Sequence, residues 1–384
     1  MSQFTVPCTV YRGGTSRGIF FKKEDLPEDT ALRDWIFLTG IDSYNPSQVD
    51  GLGGASSSTS KVCVIGPPTV EGADADWTFF QMGLANPVVD EKGTCGNLMA
   101  AAGAFAIDEG LVTAAPGAKE QEVFLYNTNI KKILRLVVPV TADGVTEETG
   151  NFKLAGLVRD SAKLTVSIMD PGGEITGSFL PMGKESVIEK DGKAYTITFA
   201  DLINPFVFAD GRQFGLTGTE MSGDVAGNAA LMDLMNGVRD IAAVQSGISK
   251  DIEEAKYKKP NIPKFAMLAP AQDYMTLSGK MVKKEDVDIL TKVISSRKLH
   301  RTSPASGLYN LACACMVKGT VPNQIAGFSG EETERIVRIG HPDGVVEVVV
   351  QLKEDKETPA AVGMERSARR IMKGDLYVPI KEGN

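Results

Sequence analysis

Residues 93–112 read GTCGNLMAAAGAFAIDEGLV, and this stretch indicates how the chain is built. After Asn97 the residues are apolar on every side of a helix, which is typical of a helix at the centre of a domain. That helix would begin near Cys95, and its first N–H groups need a partner such as a carboxylate or an anionic sulfur. The position suits a reactive thiolate at Cys95, while an ordinary buried cysteine fits the same pattern.

A second stretch repeats this pattern in the other half of the chain. Cys95 and Gly96 lead an Ala-rich apolar segment to residues 110–112, and Ser306 and Gly307 lead another to residues 319–321. One copy in each half predicts two related domains, each built around a buried helix, with both helix N-termini at a shared cleft. Chance similarity between two Ala-rich helices is the alternative.

Length and patterning both favour two domains of mixed class. A chain of 384 residues exceeds what one hydrophobic core usually serves. Short strand-like runs alternate with glycine-rich turns and helical patterns are fewer, so the sequence predicts an α+β architecture. The polar, glycine-bearing stretch 183–192 is the expected boundary between the domains. The predicted helices are residues 29–40, 95–112, 223–247, 284–298 and 306–319.

Composition and charge limit the possible partners and the location. Hydrophobic residues make up 42% of the chain, yet no apolar run approaches the roughly 20 residues of a membrane span. The first residues, MSQFTVPCTV, lack the pattern of a signal peptide, and five cysteines in so long a chain indicate reduced thiols. A net charge of −8 argues against nucleic acid. We therefore expect a cytoplasmic protein with neither a membrane nor a nucleic-acid partner.

Two helix N-termini at one cleft would suit a small ligand with two carboxylates. The glycine-punctuated turn YRGGTSRG, residues 11–18, would offer N–H groups, the Ser16 hydroxyl and the Arg17 guanidinium, or would simply form a hairpin. Lys61 follows the run DGLGGASSSTS and opens an apolar strand. A partly desolvated lysine there would bind a carboxylate or transfer a proton, whereas a surface lysine or a flexible linker gives the same pattern.

Other motifs point less clearly to chemistry. Ser58 and Lys61 match the S-x-x-K pattern of serine acyl enzymes, but a strand follows the lysine instead of a helix. The sequence lacks a P-loop, and no G-x-G-x-x-G follows a strand, so we expect no nucleotide cofactor. Cys313 and Cys315 lie two apart in a predicted helix, and the chain has only two histidines, so we expect core packing and no metal site.

Five motifs, in this order along the chain, resemble those of the PrpF family of isomerases: YRGGTSRGIFF, DGLGGASSSTSK, CGN, GLTGTE and IGHPDG. The family includes 2-methylaconitate cis-trans isomerase, 4-oxalomesaconate tautomerase and 3-methylitaconate Δ-isomerase. The resemblance implies the diaminopimelate-epimerase fold, with two pseudo-symmetric domains, each a β-barrel-like sheet around a central helix, and the active site between them. It also implies that the C-terminal strand crosses back, which gives an N-terminal domain of residues 1–187 with 371–384 and a C-terminal domain of residues 188–370.

The resemblance also assigns roles to residues. It implies that Cys95 is the catalytic cysteine and Lys61 the active-site lysine. Gly96 and Asn97 would donate to one carboxylate, with Ser16 and Ser60 beside them, and Ser306 and Gly307 would hold the other carboxylate. His300 is a further candidate for substrate binding, and Arg17 and Arg301 would serve a third carboxylate.

The epimerases place a cysteine at each helix start, whereas the second start here carries Ser306. Serine is a poor base at neutral pH, so racemisation by two thiols is disfavoured. The resemblance thus implies a cofactor-independent enzyme that moves a C=C bond by a proton shift in a small branched unsaturated dicarboxylate. The favoured reaction is 3-methylitaconate to 2,3-dimethylmaleate, with the other two family activities as alternatives.

Two functions of other classes stay open, an accessory protein of an aconitase-like enzyme and a serine amidohydrolase that uses Ser58. A homo-oligomer is possible.

Overall fold

Runs of β-branched and aromatic residues between glycine-containing turns form most of this chain as strands. The computed structural model describes residues 2–154 and 156–381, and it confirms the α+β class. The chain divides into two units. The first comprises the residues up to Met169 together with those from Glu365, and the second is Asp170–Met364.

The first unit wraps a sheet around one buried helix. Its elements before Asp170 are β1 (Gln3–Gly13), β2 (Ser16–Lys22), α1 (Thr30–Ile41), β3 (Lys61–Gly66), β4 (Ala75–Met82), β5 (Val89–Asp90), α2 (Gly96–Asp108), β6 (Glu120–Asn127), β7 (Lys132–Pro139) and β8 (Leu164–Met169). The first, third, fifth and sixth pairings along β1-β2-β3-β4-β6-β7-β8 are antiparallel, and the second and fourth are parallel. Every residue of α2 from Leu98 to Ile107 is buried. The all-round apolar pattern thus produces the predicted central helix.

The second unit contains the elements β9 (Ser186–Lys190), β10 (Lys193–Leu202), β11 (Asn204–Asp210), α3 (Ser222–Gly227), α4 (Ala229–Gln245), β12 (Lys264–Pro270), β13 (Tyr274–Met275), β14 (Met281–Val282), β15 (Ile289–Ser295), β16 (Lys298–Leu299), α5 (Ala305–Met316), α6 (Val321–Ala326), β17 (Glu334–His341), β18 (Gly344–Leu352) and β19 (Pro359–Arg366). Its strands pair in the order β10-β11-β12-β15-β17-β18-β19, with the same succession of antiparallel and parallel pairings as the first unit. Its helix α5 is buried from Gly307 to Met316. The repeat suspected from two helices therefore extends to these six successive strand pairings in each unit.

The last strand, β20 (Ala368–Pro379), belongs to the first unit, where it pairs antiparallel with β1. The stretch 183–192, where the sequence suggested a domain boundary, contributes to the β9–β10 hairpin inside the second unit.

One predicted helix is wrong. Residues 284–298 contain a short 3₁₀ turn and the strand β15 instead of a helix. Both faces of this strand are covered, since Ile289 to Ile294 are all buried, so its apolar residues do not alternate with polar ones. The predicted helix 223–247 is interrupted at Asn228, whose side chain caps α4 by accepting from the Leu231 N–H group.

Candidate active site

Cys95 is the N-cap residue of the central helix of the first unit. Its backbone is extended, with φ −128° and ψ 101°, and its carbonyl accepts the first helical hydrogen bond, from the Met99 N–H group. The side chain makes no capping hydrogen bond, and 9% of the residue is exposed. The sulfur therefore lies at the positive end of a helix whose first N–H groups are available to an anion.

The turn between β1 and β2 closes over this helix start. Ser16 is 5% exposed, and its Oγ lies 4.0 Å from Cys95 Sγ. Asn97 donates from Nδ2 to Thr15 Oγ1 at 3.1 Å and to Ser16 Oγ at 3.4 Å. The structure thus brings three of the predicted site residues, Cys95, Asn97 and Ser16, together.

Two glycines permit this close approach. A Cβ on Gly13 would lie 2.4 Å from the Asn97 carbonyl oxygen. A Cβ on Gly14, which has φ +52°, would lie 2.2 Å from Asn97 Oδ1. A side chain at either position would push the turn away from the helix start, so the glycines serve the site directly.

Lys61 is the first residue of β3, a strand in which every residue is buried, and it is itself 8% exposed. Its Nζ donates to Gln81 Oε1 at 2.7 Å and lies 4.9 Å from the centre of the Phe79 ring. Gln81 in turn donates from Nε2 to the Ser60 carbonyl oxygen at 2.8 Å. The hydrogen-bond partner of Lys61 Nζ is therefore a neutral amide and not a carboxylate.

Cys63 relates Lys61 to Cys95. Burial raises the pKa of the Cys63 thiol, a hydrogen bond with Trp77 lowers it, and smaller effects come from the charge of Cys95, which raises it, and the charge of Lys61, which lowers it. Both groups therefore act on the same buried sulfur.

Ser60 and Arg17 are engaged by the loop that precedes Lys61. The Ser60 hydroxyl is fully buried, and two acceptors, Gln48 Oε1 at 2.7 Å and the Ser56 carbonyl oxygen at 2.8 Å, share its one hydrogen. Arg17 donates from Nη2 to the carbonyl oxygens of Leu52 and Gly53. Both side chains organise residues 50–60, and their predicted contacts with substrate stay predictions.

The second unit holds the other predicted residues. Helix α5 begins at Ala305 with Pro304 as its N-cap, so Ser306 and Gly307 are the second and third helical residues. His300 precedes the helix, and its Nδ1 accepts from the Thr302 N–H group at 3.1 Å. Gly307 lies close against the Phe206 ring, because a Cβ atom added to Gly307 would lie 2.7 Å from Phe206 Cζ. Substrate binding by Ser306, Gly307 and His300 stays a prediction.

The remaining thiols are structural. Cys313 and Cys315 are fully buried in α5, which confirms the expected core packing. Within residues 2–154 and 156–381, His, Cys, Asp and Glu side chains form no group of three suited to a metal ion. No helix in the same residues is long and apolar enough to cross a membrane.

Gln81, Phe79 and Thr15 were missed by the sequence reasoning. Gln81 is the one polar residue in the run FFQM, and a polar residue in so apolar a strand was a usable signal. Phe79 and Thr15 carried no such signal.

The chain is similar to known proteins along its whole length. Residues 3–379 match the family model described as PrpF protein. The chain is 36% identical to 3-methylitaconate isomerase of Eubacterium barkeri and 37% identical to 2-methyl-aconitate isomerase of Shewanella oneidensis, each over 98% of both chains. A crystal structure of methylitaconate-delta-isomerase, 36% identical, superposes with a TM-score of 0.90 over 99% of this chain and 97% of the other. The chain therefore belongs to the PrpF protein family and is an enzyme of the isomerase class.

Proposed function

We propose that this isomerase moves a C=C bond in a small branched unsaturated dicarboxylate by proton transfer, without a cofactor. The observation that carries the proposal is the thiol of Cys95 at the uncapped start of a buried helix, beside Ser16 and Asn97. A sulfur at this position lies beside the N–H groups at the positive end of the helix, where a cysteine can act as a general base. Binding alone needs no thiol there, which argues against an accessory protein.

In the proposed reaction, Cys95 removes a proton from the carbon between a carboxylate and the C=C bond. The electron pair of the broken C–H bond delocalises over three carbons and the carboxylate. The proton then returns to the far carbon of this allyl system, which moves the double bond and regenerates the thiolate. General-base catalysis supplies about 10²–10⁴-fold, so stabilisation of the anion by Lys61 and the helix N–H groups must supply much of the rest.

The favoured substrate is 3-methylitaconate, with 2,3-dimethylmaleate as product. The similarity to the Eubacterium barkeri enzyme over the whole chain supports this choice. The similarity to the Shewanella oneidensis enzyme is equally high and supports 2-methylaconitate as the second candidate. 4-Oxalomesaconate is the third.

The proposed setting is the cytoplasm, and the proposed assembly is a homo-oligomer. Five cysteines, all free and buried, support a reducing compartment. An acidic chain of this composition gives no support to a nucleic-acid or membrane partner.

The test is proton NMR of the purified protein with each of the three substrates in D₂O, without added metal or nucleotide. We expect new methyl signals of dimethylmaleate from 3-methylitaconate, with deuterium incorporated because the base exchanges with solvent. Cys95→Ala should nearly abolish this turnover, and Cys8→Ala, which removes another buried thiol, should retain it. A folded Cys95→Ala protein with retained turnover would refute the thiol mechanism, and conversion of another substrate alone would redirect the substrate assignment.

A further inference from the structure

A cavity of about 490 Å³ lies in the first unit, and one of its lining residues, Arg12, donates to the Gly14 carbonyl in the turn that closes over the start of α2. Its polar lining consists mainly of Arg12, Arg159, Arg369, Glu148, Asp160 and Ser161. Cys95, Lys61, Ser16 and Asn97 are not among the residues that line it. Its volume is within the range of small-molecule sites.

The cavity carries more positive than negative charge, although the chain as a whole has a net charge of −8. Three guanidinium groups face two carboxylates. Within the described residues, the side chains of Arg159 and Arg369 have neither a hydrogen bond nor an ion pair. Of the two carboxylates, Glu148 accepts at Oε1 from the Arg370 backbone N–H group at 2.7 Å and its charge offsets part of that of Arg12, so the lining still carries one more positive charge than negative charges. The uncompensated charge of the cavity is therefore cationic.

Arg12 is held rigidly at the wall of the cavity. Its Nη1 donates to the carbonyl oxygen of Ser367 at 2.9 Å, to Ser367 Oγ at 3.0 Å and to the Gly14 carbonyl at 3.1 Å. Partial burial lowers the pKa of Arg12, the charge of Arg369 lowers it further, and Glu148 opposes both. The guanidinium groups of Arg12 and Arg369 thus repel each other, and an anion between them would relieve the repulsion.

Ser161 provides an independent sign of a ligand. It is 6% exposed, and its Oγ has no hydrogen-bond partner among the residues that the structure describes. Its backbone is fixed by two hydrogen bonds with Phe152, and the residue is one of those that line the cavity. A buried hydroxyl without a partner is unfavourable, and a bound acceptor would satisfy it.

We propose that this cavity binds a compact oxyanion with two or more negative charges, such as a phosphoryl group or a polycarboxylate. Guanidinium groups match the paired oxygens of both kinds of anion, and the Ser161 hydroxyl adds a donor. The proposal uses none of Cys95, Lys61, Ser16 and Asn97, and it does not rest on the proposed function.

The test is isothermal titration of the whole protein with inorganic pyrophosphate, inorganic phosphate and citrate, at 50 and 300 mM NaCl. We expect saturable one-to-one binding that weakens at the higher salt concentration. Tighter binding of pyrophosphate identifies the phosphoryl source, and tighter binding of citrate identifies the carboxylate source.

Variants locate the binding. Arg159 and Arg369 are exposed, so the double variant Arg159→Gln/Arg369→Gln should fold, and we expect it to raise the Kd about tenfold or more. Ser161→Ala, which keeps every charge, should raise the Kd by a smaller factor. The matched control Arg135→Gln removes an exposed arginine of the same unit that pairs with Glu122, and it should leave the Kd unchanged.

Two outcomes would overturn the proposal. One is the absence of saturable binding of all three anions. The other is binding that persists in the double arginine variant but is lost on Lys61→Gln, because the anion would then occupy the candidate active site.

Discussion

Replacement of Gly307 by alanine should destabilise the second unit, because the Phe206 ring occupies the space of the new side chain. A Cβ at this position would lie 2.7 Å from Phe206 Cζ and 2.9 Å from Cε1, about 1 Å inside ordinary carbon–carbon contact. Phe206 is fully buried and cannot move its ring into solvent. Overpacking of this kind costs about 1–3 kcal/mol, and the higher helix propensity of alanine returns at most about 1 kcal/mol. We expect a net loss of roughly 1–2 kcal/mol in the free energy of unfolding.

A second substitution reverses the sign of this effect. Phe206→Leu removes the Cζ and Cε atoms that the new Cβ would meet. In that background Gly307→Ala should be neutral or stabilising by up to about 1 kcal/mol, since only the propensity gain remains. The double-mutant cycle should therefore give a coupling free energy of about 1–3 kcal/mol.

Urea unfolding followed by far-UV circular dichroism measures these differences. Trp35 and Trp77, the two tryptophans of the chain, lie in the first unit and report it separately by fluorescence. Gly223→Ala is the control, because a Cβ on this helical glycine of α3 meets nothing within 4 Å. The reasoning is refuted if Gly307→Ala is as harmless as Gly223→Ala, or if the cycle is additive within about 0.5 kcal/mol.

Two further predictions concern buried polar groups. Tyr11→Phe removes the hydroxyl that donates to Asp108 Oδ2 at 2.5 Å and should lower the free energy of unfolding by about 1–3 kcal/mol, whereas Tyr44→Phe at an exposed position should change it little. Equal effects of the two variants would contradict this. Burial lowers the pKa of His341, although Asp343 opposes the shift, so the folded state favours the neutral ring. The contribution of the neutral His341 ring to the free energy of unfolding is complete above the pKa of histidine in the unfolded chain, about 6.5, and is lost as the pH falls below that value. His341→Asn should therefore flatten the loss of stability between pH 7.5 and 5 in urea titrations, and an unchanged slope would exclude this role.

The sequence predicted those features that a local pattern determines. The central helix around residues 98–107 followed from residues that are apolar on every side, and burial on every side is what the structure has. Strand β15 was misread because burial on both faces removes the alternation that distinguishes a strand from a helix. The unusual placement of Lys61 at the start of an apolar run was visible, and the lysine is buried there.

Partners from distant parts of the chain were not predictable. Lys61 meets Gln81 because β3 pairs with β4 in a register that places the two residues opposite each other. That register depends on the whole sheet and leaves no mark in either strand alone. For the same reason, nothing near Ser60 indicated that its hydroxyl would form a hydrogen bond with Gln48, twelve residues earlier.

In both units a strand residue packs against the third residue of the central helix, and one member of each pair is a glycine. The glycine is in the strand in the first unit and in the helix in the second. In the first unit, Gly18 of β2 lies against Leu98, the third residue of α2, with its absent Cβ 3.0 Å from Leu98 Cδ1. In the second unit, Phe206 of β11 lies against Gly307, the third residue of α5. In both units a large residue packs against a glycine and fills the space between strand and helix. The helix supplies the large residue in the first unit, and the strand supplies it in the second.

When the two helices are aligned at these contacts, their N-cap residues carry different chemical groups. If the third residues are equivalent, Cys95 corresponds to Pro304, which has neither a thiol nor an N–H group. Lys61 is the first residue of β3, which pairs parallel with β2, and Lys264 is the first residue of β12, which pairs parallel with β11. Lys264 Nζ lies 5.7 Å from the centre of the Phe206 ring, whereas the first unit has Gly18 at the position of Phe206. The aromatic ring that fills the packing in the second unit therefore lies beside its lysine, and the cap there offers no base. The repeat conserves the packing of both halves, whereas of the starts of α2 and α5 only that of α2 has a cysteine as its N-cap residue.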